Sequence, residues 1–353
     1  MTHVNGVNVK GKICHWIADF LRNRTQQVSV NGCLSSCFNV TSGVPQGSVL
    51  GPILFVIYVN ELPKLVNSTM KMYADDAKLY WTITNEADCK MLQDDLEVLI
   101  DWSKHWLLEF NVAKCRVMHC GMHNPGAVYY MKLKDGSIHE LEATNNEKDL
   151  GVYIDSSLKP SFNCSKAANK AMSALKLLRL TFCRLTKTNF KFLYNMYIRP
   201  HLEHCVQAMG PYLQKDIKAL ERVQRRATKL VKGLKNKPYE QRLAELKMIP
   251  VEERLQRGNL IETFKILSGH TRINPRQFFT RRDEASTRGH LCKLKKLRAK
   301  TYARTKFFSH RVINAWNRLP SEVVIASSTN SFKNRLDKLM DKMTLSCLFD
   351  PSK

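Results

Sequence analysis

The chain has 353 residues, of which 44% are hydrophobic, and a net charge of +25. This length allows two or more domains with cores of their own. The longest apolar run near the start, residues 53–59, is far shorter than the ~20 residues that cross a bilayer, and no basic-then-apolar leader opens the chain, so we expect neither a membrane protein nor a secreted one. The 11 cysteines are odd in number and scattered, which favours a reducing, intracellular location in the nucleus or the cytoplasm.

The charge is distributed unevenly along the chain. Residues 1–160 sum to −2 and residues 161–353 to +27, which together give the net charge of +25. Such an asymmetry favours a polyanionic partner for the second part, and nucleic acid is the first candidate. A merely soluble basic surface is the alternative.

The first predicted elements precede a glycine-rich segment. Residues 11–24 carry an apolar stripe that predicts an amphipathic helix, and residues 26–30 alternate as a strand that ends at Asn31 and Gly32. Residues 41–52, TSGVPQGSVLGP, hold three glycines that let a backbone approach a flat or charged group, although a plain loop is the commoner explanation. No Lys-Ser or Lys-Thr pair follows these glycines, so the segment is not a phosphate-binding P-loop.

A buried apolar run at residues 53–59 leads to the most informative stretch, residues 70–81, MKMYADDAKLYW. Apolar and polar residues alternate on both sides of Asp75 and Asp76, which predicts two strands with the aspartates at the turn. Adjacent like charges in a turn without glycine carry a cost that a bound cation would offset. Carboxylate oxygens suit hard cations such as Mg²⁺. A solvated acidic turn explains the pair equally well at this point.

The following segments are mostly helical. Residues 88–108, 165–180 and 186–199 predict helices, and Lys114 lies in a turn before a strand. A lone lysine in such a place is normally a solvated charge. A basic run at residues 293–300 fits either a nuclear import signal or an RNA contact.

Residues 216–234 predict a helix with one apolar and one cationic face, in which the only acids are Asp216 and Glu221. The cationic face consists of Lys218, Arg222, Arg225, Arg226, Lys229 and Lys232. A continuous cationic strip suits the phosphates of a nucleic acid, while a solvated helix face is the simpler alternative. Binding to a membrane surface is less favoured, because the apolar face has neither Trp nor Phe.

Several motifs occur in an order that resembles the reverse transcriptases of LINE-type retrotransposons, which lack long terminal repeats, of the jockey and chicken-repeat kind. The motifs are TSGVPQGSVLGPILFVIYVNELP, MKMYADDAKLYW, FNVAKCRVMHCG, EKDLGVYIDSSLKPSFNC, RPHLEHCVQAMGPYLQKDIKALERVQRRATKLVKGL and FFSHRVINAWNRLPSEVV. The resemblance runs from about residue 9 to about residue 342. It implies an α+β fold: a partial right-hand polymerase palm at residues 1–160, a helical thumb at 161–270 and a basic C-terminal extension at 271–353.

The resemblance also implies a function and its residues. Asp75 and Asp76 would bind Mg²⁺, and Lys114 would lie near the pyrophosphate leaving group as a general acid. The remaining implied contacts are Gln46 and Gly47 with the incoming nucleotide and the templating base, and Tyr73 and Ala74 with the primer end. The activity implied is RNA-directed DNA polymerisation, which adds dNTPs to a DNA primer on a retrotransposon RNA template by two-metal phosphoryl transfer.

One departure from the family pattern carries a further expectation. The family has an earlier motif with another metal-binding aspartate, and this chain begins just after the place where it would stand. We therefore expect an N-terminally truncated copy that is inactive alone. The alternative function is a catalytically inactive, nucleic-acid-binding remnant of such an element.

Overall fold

The computed structural model describes residues 11–121, 123–182, 184–282 and 290–342. The chain divides into two compact units, Met1–Thr144 and Asn145–Lys353. Helices and strands both occur, as the predicted α+β class requires. None of the described helices combines the length and the apolar character that a membrane crossing needs. The palm, thumb and extension boundaries remain a prediction.

The first unit begins with a helix and two small strand pairs. Its helices are α1 (Lys12–Leu21), α2 (Leu50–Val59), α3 (Leu62–Leu65) and α4 (Glu86–Trp106). Its strands are β1 (Arg24–Gln26), β2 (Ser29–Val30), β3 (Cys33–Leu34), β4 (Phe38–Val40), β5 (Thr69–Tyr73), β6 (Asp76–Tyr80), β7 (Arg116–Val117), β8 (Tyr130–Lys132), β9 (Ile138–Glu140) and β10 (Glu142–Ala143). These strands pair two by two, antiparallel except for β7 with β10.

Helix α4 organises the core of the first unit. Its residues Leu99 and Trp102 pack with Val59 of α2 and Met70 of β5, while Ile100 faces a second cluster around Met131. The helix begins with a capping box, in which Asn85 and Asp88 exchange side-chain and backbone hydrogen bonds. The hairpin β5–β6 and the chain that follows α4 therefore pack on adjacent sides of one helix.

The prediction of a buried run at residues 53–59 is wrong in part. The run forms helix α2, in which Leu54 and Val59 are buried, but Ile53 and Val56 are each 52% exposed. A helix can turn only one side toward its core, so an apolar sequence all around it leaves apolar residues at the surface.

The second unit is mainly helical. Its helices are α5 (Ser161–Thr181), α6 (Lys187–Leu193), α7 (Arg199–Glu203), α8 (Val206–Met209), α9 (Gln214–Thr228), α10 (Tyr239–Leu246), α11 (Val251–Leu267), α12 (Tyr302–Lys306), α13 (Phe308–Arg311), α14 (Ile313–Asn317), α15 (Ser321–Val324) and α16 (Thr329–Lys342), with a π-helical turn at Tyr194–Ile198. Its strands are β11 (Asn146–Asp149), β12 (Val152–Asp155), β13 (Thr280–Arg281) and β14 (Leu294–Lys295). One apolar cluster joins α5, α6 and α9, and another joins α11 to the helices that follow residue 300.

A buried polar network crosses the first of these clusters. The Gln224 side chain accepts hydrogen bonds from Tyr194 Oη and Arg254 Nη1, both at 2.6 Å, and donates to Tyr239 Oη at 2.8 Å. Arg254 Nε also donates to Glu203 Oε1 at 2.6 Å. Because Gln224 is fully buried, its amide must have these partners to be stable there.

The helix predicted at residues 216–234 is six residues shorter at its C-terminal end, since α9 ends at Thr228. The backbone N–H of Lys232 donates to Leu185 O at 3.1 Å, so it is not available to a helix. Gly233, at φ +80°, completes the turn, and Val231 stays buried beyond the helix end. A tertiary backbone contact therefore overrides the helical periodicity.

Candidate metal and nucleic-acid site

The predicted hairpin exists, but its turn lies one residue earlier than expected. Strands β5 and β6 pair with Tyr73 opposite Asp76, so the two turn residues are Ala74 and Asp75, and Asp76 is the first residue of β6. The register follows the core, because Met70 lies opposite Leu79 and both side chains pack into the cluster around Trp102. The prediction that both aspartates occupy the turn is thus wrong by one position.

The tip of the hairpin is exposed and has an unusual backbone. Ala74 has φ +53°, a conformation that costs a residue with a Cβ roughly 1–2 kcal/mol. Asp75 and Asp76 are both exposed, as is Tyr73. Neither carboxylate forms an ion pair within the described residues. The two adjacent carboxylates are therefore open to solvent and available to a ligand, and in the part of the chain that the structure describes they do not stabilise the fold through an ion pair.

Helix α4 holds the hairpin at both ends of its base. The buried Asp95 accepts the backbone N–H groups of Asn67 and Ser68 at 2.9 and 2.8 Å, just before β5. After β6, the indole of Trp81 donates to Asp88 at 3.3 Å. Burial alone raises the pKa of Asp95, but the hydrogen bonds from Ser68 and Asn67 outweigh it and hold that pKa below its ordinary value.

The glycine-rich segment is a loop, as predicted, and it ends where α2 begins at Leu50. Gln46 and Gly47 are exposed, and Gly47 has φ +81°. Ser48 Oγ donates to Pro45 O at 2.7 Å and accepts from the N–H of Gly51 at 3.0 Å. A Cβ on Gly51 would come within 2.9 Å of Pro45 O, so this glycine allows a close backbone approach.

Lys114 lies on a short 3₁₀ turn (Val112–Lys114) directly before β7, as the predicted turn-to-strand setting requires. Val112 is buried against Ile100 of α4, which attaches the turn to the core. The Lys114 side chain is exposed and has no carboxylate partner among the described residues.

The structure brings together only part of the predicted site. Tyr73, Ala74 and the two aspartates are contiguous at the tip of the hairpin. Gln46 and Gly47 lie on the loop before α2, and Lys114 lies on a turn that packs against α4. Both helices contribute to the cluster on which the hairpin packs. Among the described residues no group of three or more His, Cys, Asp or Glu side chains converges. The carboxylates of Asp75 and Asp76 suit a divalent cation by their chemistry, but they supply only part of its coordination shell.

The predicted cationic face is exposed at all six positions. Four of the residues, Lys218, Arg222, Arg225 and Arg226, lie on α9, whereas Lys229 and Lys232 lie on the turns beyond it. The two acids in this segment serve the fold, because Asp216 accepts from Ser161 Oγ at 2.8 Å and Glu221 accepts the N–H of Val251 at 2.8 Å. Arg225 differs from the rest, since its guanidinium lies 4.1 Å above the ring of Tyr239.

Two supporting residues escaped the sequence analysis although a signal exists for each. Asp95 lies three and four residues from Leu92 and Leu99, on the apolar stripe of α4. Gln224 lies four and three residues from Leu220 and Ala227, on the apolar face of α9. A polar residue on an apolar face is buried with partners or destabilises the helix packing, so its position alone indicates a hydrogen-bond network.

Comparison with known sequences assigns the chain to a protein family. Residues 3–193, more than half of the chain, match the family model described as "Reverse transcriptase (RNA-dependent DNA polymerase)". The chain belongs to the reverse transcriptase family. The matched region includes the glycine-rich loop, the hairpin and Lys114, and it confirms the resemblance that the motifs indicated. Reverse transcriptases use divalent metal ions.

Three curated relatives come from fruit flies. The chain is 24% identical over 228 residues to "Probable RNA-directed DNA polymerase from transposon X-element" of Drosophila melanogaster, over 62% of this chain and 24% of that protein. It is 35% identical over 108 residues to "RNA-directed DNA polymerase from mobile element jockey" of the same species, over 28% of this chain and 12% of that protein, and 27% identical over 213 residues to the jockey protein of Drosophila funebris, over 55% and 22%. The chain spans about a quarter of the length of such relatives. Their names do not favour the alternative of an inactive remnant.

Proposed function

We propose that this chain is the polymerase part of a reverse transcriptase from a retrotransposon without long terminal repeats, and that it adds dNTPs to a DNA primer on an RNA template. The observation that carries the proposal is the exposed pair of carboxylates at the tip of a hairpin anchored on α4. Family membership supports the reaction class. In this proposal the first unit belongs to the palm and the helices after residue 160 form the thumb.

The carboxylates of Asp75 and Asp76 would hold the divalent cation, which we take to be Mg²⁺. Bound there, it would favour deprotonation of the primer 3′-hydroxyl and neutralise the triphosphate. The exposed tip is suited to this role, because no cation of the described protein side chains competes for either carboxylate. The hydrogen bonds that attach the base of the hairpin to α4 also restrict where the carboxylate pair can lie before the substrate binds.

The other predicted residues have supporting roles in this proposal. Lys114, exposed on its turn, would protonate the pyrophosphate leaving group as a general acid. Gln46 and Gly47 would line the nucleotide and the templating base, where the flexible glycine allows close backbone contact. Tyr73 and Ala74, beside the carboxylates, would contact the primer end.

Primer extension on an RNA template with Mg²⁺ tests the proposal. We expect Asp75→Asn to reduce the rate by about 10³-fold or more, because it removes charge that stabilises the transition state. Asp101→Asn is the matched control, since Asp101 is an exposed aspartate of the same unit whose one ion pair among the described residues is with Lys104, at 3.5 Å. The same variants are compared in the purified chain and in a chimera that carries it in place of the matching part of the jockey protein.

A second readout separates metal binding from turnover. In the presence of a dNTP, Mn²⁺ binding followed by electron paramagnetic resonance should weaken in Asp75→Asn and remain unchanged in Asp101→Asn. Equal extension and equal Mn²⁺ binding by Asp75→Asn and the unchanged protein would contradict the assignment. Retained RNA binding without extension in either context would instead support the nucleic-acid-binding remnant.

A further inference from the structure

An exposed aromatic cluster lies in the second unit, beyond the residues that match the family model. We name Tyr212, Tyr302 and Lys306 the aromatic platform. The two tyrosine rings meet edge to face, with centroids 5.9 Å apart, and Lys306 Nζ lies 5.1 Å from the centroid of Tyr302 and 5.8 Å from that of Tyr212. Tyr302 nevertheless remains 63% exposed. Its ring is thus held from one side and open on the other.

Hydrogen bonds to the backbone keep the platform in place. Thr301 caps helix α12 by accepting the N–H of Arg304 at 3.3 Å. At the other end of α12, Arg311 donates to Lys306 O at 3.0 Å and, through its other nitrogen, to Val206 O at 2.6 Å. Helix α12, which carries Tyr302 and Lys306, is therefore capped at its start and linked through Arg311 to α8.

The surroundings of the platform are cationic. Lys300 and Arg304 flank Tyr302 in the sequence, and Lys295, Lys296 and Arg298 precede them; all five are exposed. In the described part of the chain none of these five pairs with a carboxylate. An exposed aromatic ring among cations without a carboxylate partner is the combination that binds unpaired bases together with their phosphates.

A second cluster of the same composition lies on β12 and α5. The rings of Tyr153 and Phe162 are 5.4 Å apart, and Lys166 Nζ lies 5.7 and 5.1 Å from their centroids. A second pair of rings with a cation beside it thus lies in the same unit.

We propose that the aromatic platform stacks an unpaired base of single-stranded nucleic acid, whose phosphates lie against the neighbouring lysines and arginines. A paired base is excluded, because its faces are covered by the duplex stack. The site differs from the carboxylate hairpin in place and in chemistry, and it needs no polymerase activity. RNA and DNA share the required base faces, and the test separates them.

The test is a salt titration of binding by fluorescence anisotropy, with labelled 12-nucleotide oligouridine, the matched oligothymidine and a duplex. Tyr302→Ala should weaken single-strand binding by about 5- to 100-fold and leave the salt slope unchanged, because it removes stacking and no charge. Tyr302→Phe should bind like the unchanged protein. Lys306→Gln should reduce the salt slope by about one.

Tyr197→Ala is the matched control, because Tyr197 is 48% exposed and has no ring or cation contact among the described residues. Crosslinking with 5-iodouridine RNA adds an independent readout, and the adduct should map to Tyr302 or Tyr212. Unchanged affinity in Tyr302→Ala, or equal losses in Tyr302→Ala and Tyr302→Phe, would overturn the proposal. The titration is repeated in Asp75→Asn, where binding should persist whether or not the proposed polymerase function is correct.

Discussion

A single buried carboxylate sets the position of the proposed metal site. Asp95 makes no contact with Asp75 or Asp76, yet it accepts both backbone N–H groups that precede β5. Because those donors are close to the core, they would lose their partner if the carboxylate were removed, and the start of the hairpin would move. At this scale the proposed function would depend on a residue that lies outside the proposed metal site.

We expect Asp95→Ala to lower the free energy of unfolding of the first unit by about 2–4 kcal/mol, since a buried donor at Ser68 and a part-buried donor at Asn67 lose their acceptor. Asp95→Asn should cost roughly half as much, because its amide keeps one acceptor oxygen. Urea denaturation monitored by tryptophan fluorescence measures both. Equal stability of Asp95→Ala and the unchanged protein would show that solvent replaces the carboxylate.

The pKa of Asp95 adds a pH dependence. Its folded-state pKa is lowered, so its contribution to stability is present above the ordinary pKa of aspartate, about 4, and is lost as the pH falls through the lower folded value. The Asn variant should lack this part of the acid transition. Identical acid titrations of the two proteins would exclude Asp95 as its cause.

At the scale of elements, α9 divides its surface between two roles. One face carries Leu220, Val223 and the buried Gln224, and the other carries exposed cations. Replacing Lys218, Arg222 and Arg226 by Gln should lower the salt slope of nucleic-acid binding by about two to three, with the fold intact. Filter binding at several salt concentrations measures it, and an unchanged slope would place the phosphate contacts elsewhere.

Arg225 serves as the contrasting position on the same helix. It lies over Tyr239, so Arg225→Gln should also lower the stability of the second unit, by about 0.5–1 kcal/mol, in addition to its effect on the salt slope. Thermal unfolding of this variant beside Arg222→Gln checks the difference. Equal melting temperatures would mean that the ring contact adds no stability.

The elements that sequence patterns predict well are those whose signals are local. The two strands around Asp75 and Asp76 follow from strict alternation, and α4 from a long apolar stripe. The end of α9 and the register at Ala74 do not follow, because Leu185 and Trp102, far away in sequence, decide them. The same holds for Asp95 and Gln224, whose partners come from distant segments although their own positions on apolar faces indicate burial.

At the scale of the whole molecule, the two units have separate cores, and each contains groups whose pKa burial or hydrogen bonding shifts. The second unit depends on neutral, buried tyrosines, and burial raises the pKa of Tyr194 to about 12. Because the pKa of Tyr194 is raised in the folded state, the neutral side chain contributes its full stability below the ordinary tyrosine pKa of about 10. This contribution is lost as the pH rises through about 12. Alkaline conditions should thus destabilise the second unit, and also the first, where burial raises the pKa of Tyr129 to about 12 as well.

The substitution Arg254→Met tests whether the two units unfold independently of each other. It removes the hydrogen bonds that the Arg254 guanidinium donates to Glu203 and Gln224 and should lower the stability of the second unit by about 3–5 kcal/mol. Hydrogen exchange read by mass spectrometry should then show faster exchange in α5, α9 and α11, with peptides of α4 unaffected. Equal acceleration in both units would show that they unfold as one.

The way the hairpin is attached to α4 also determines how its mobility varies along its length. Asp95 and Asp88 attach its base to α4, Met70 and Leu79 pack into the cluster around Trp102, and Asp75 lies at the exposed end. The displacement of an element that is attached at one end grows with distance from that end. Amplitudes of motion should therefore rise along β5 from Met70 to Tyr73. We therefore expect the carboxylates that would bind a metal to be the most mobile part of the hairpin. Binding of an ion and a triphosphate at the tip should reduce this motion more than any substitution at the base.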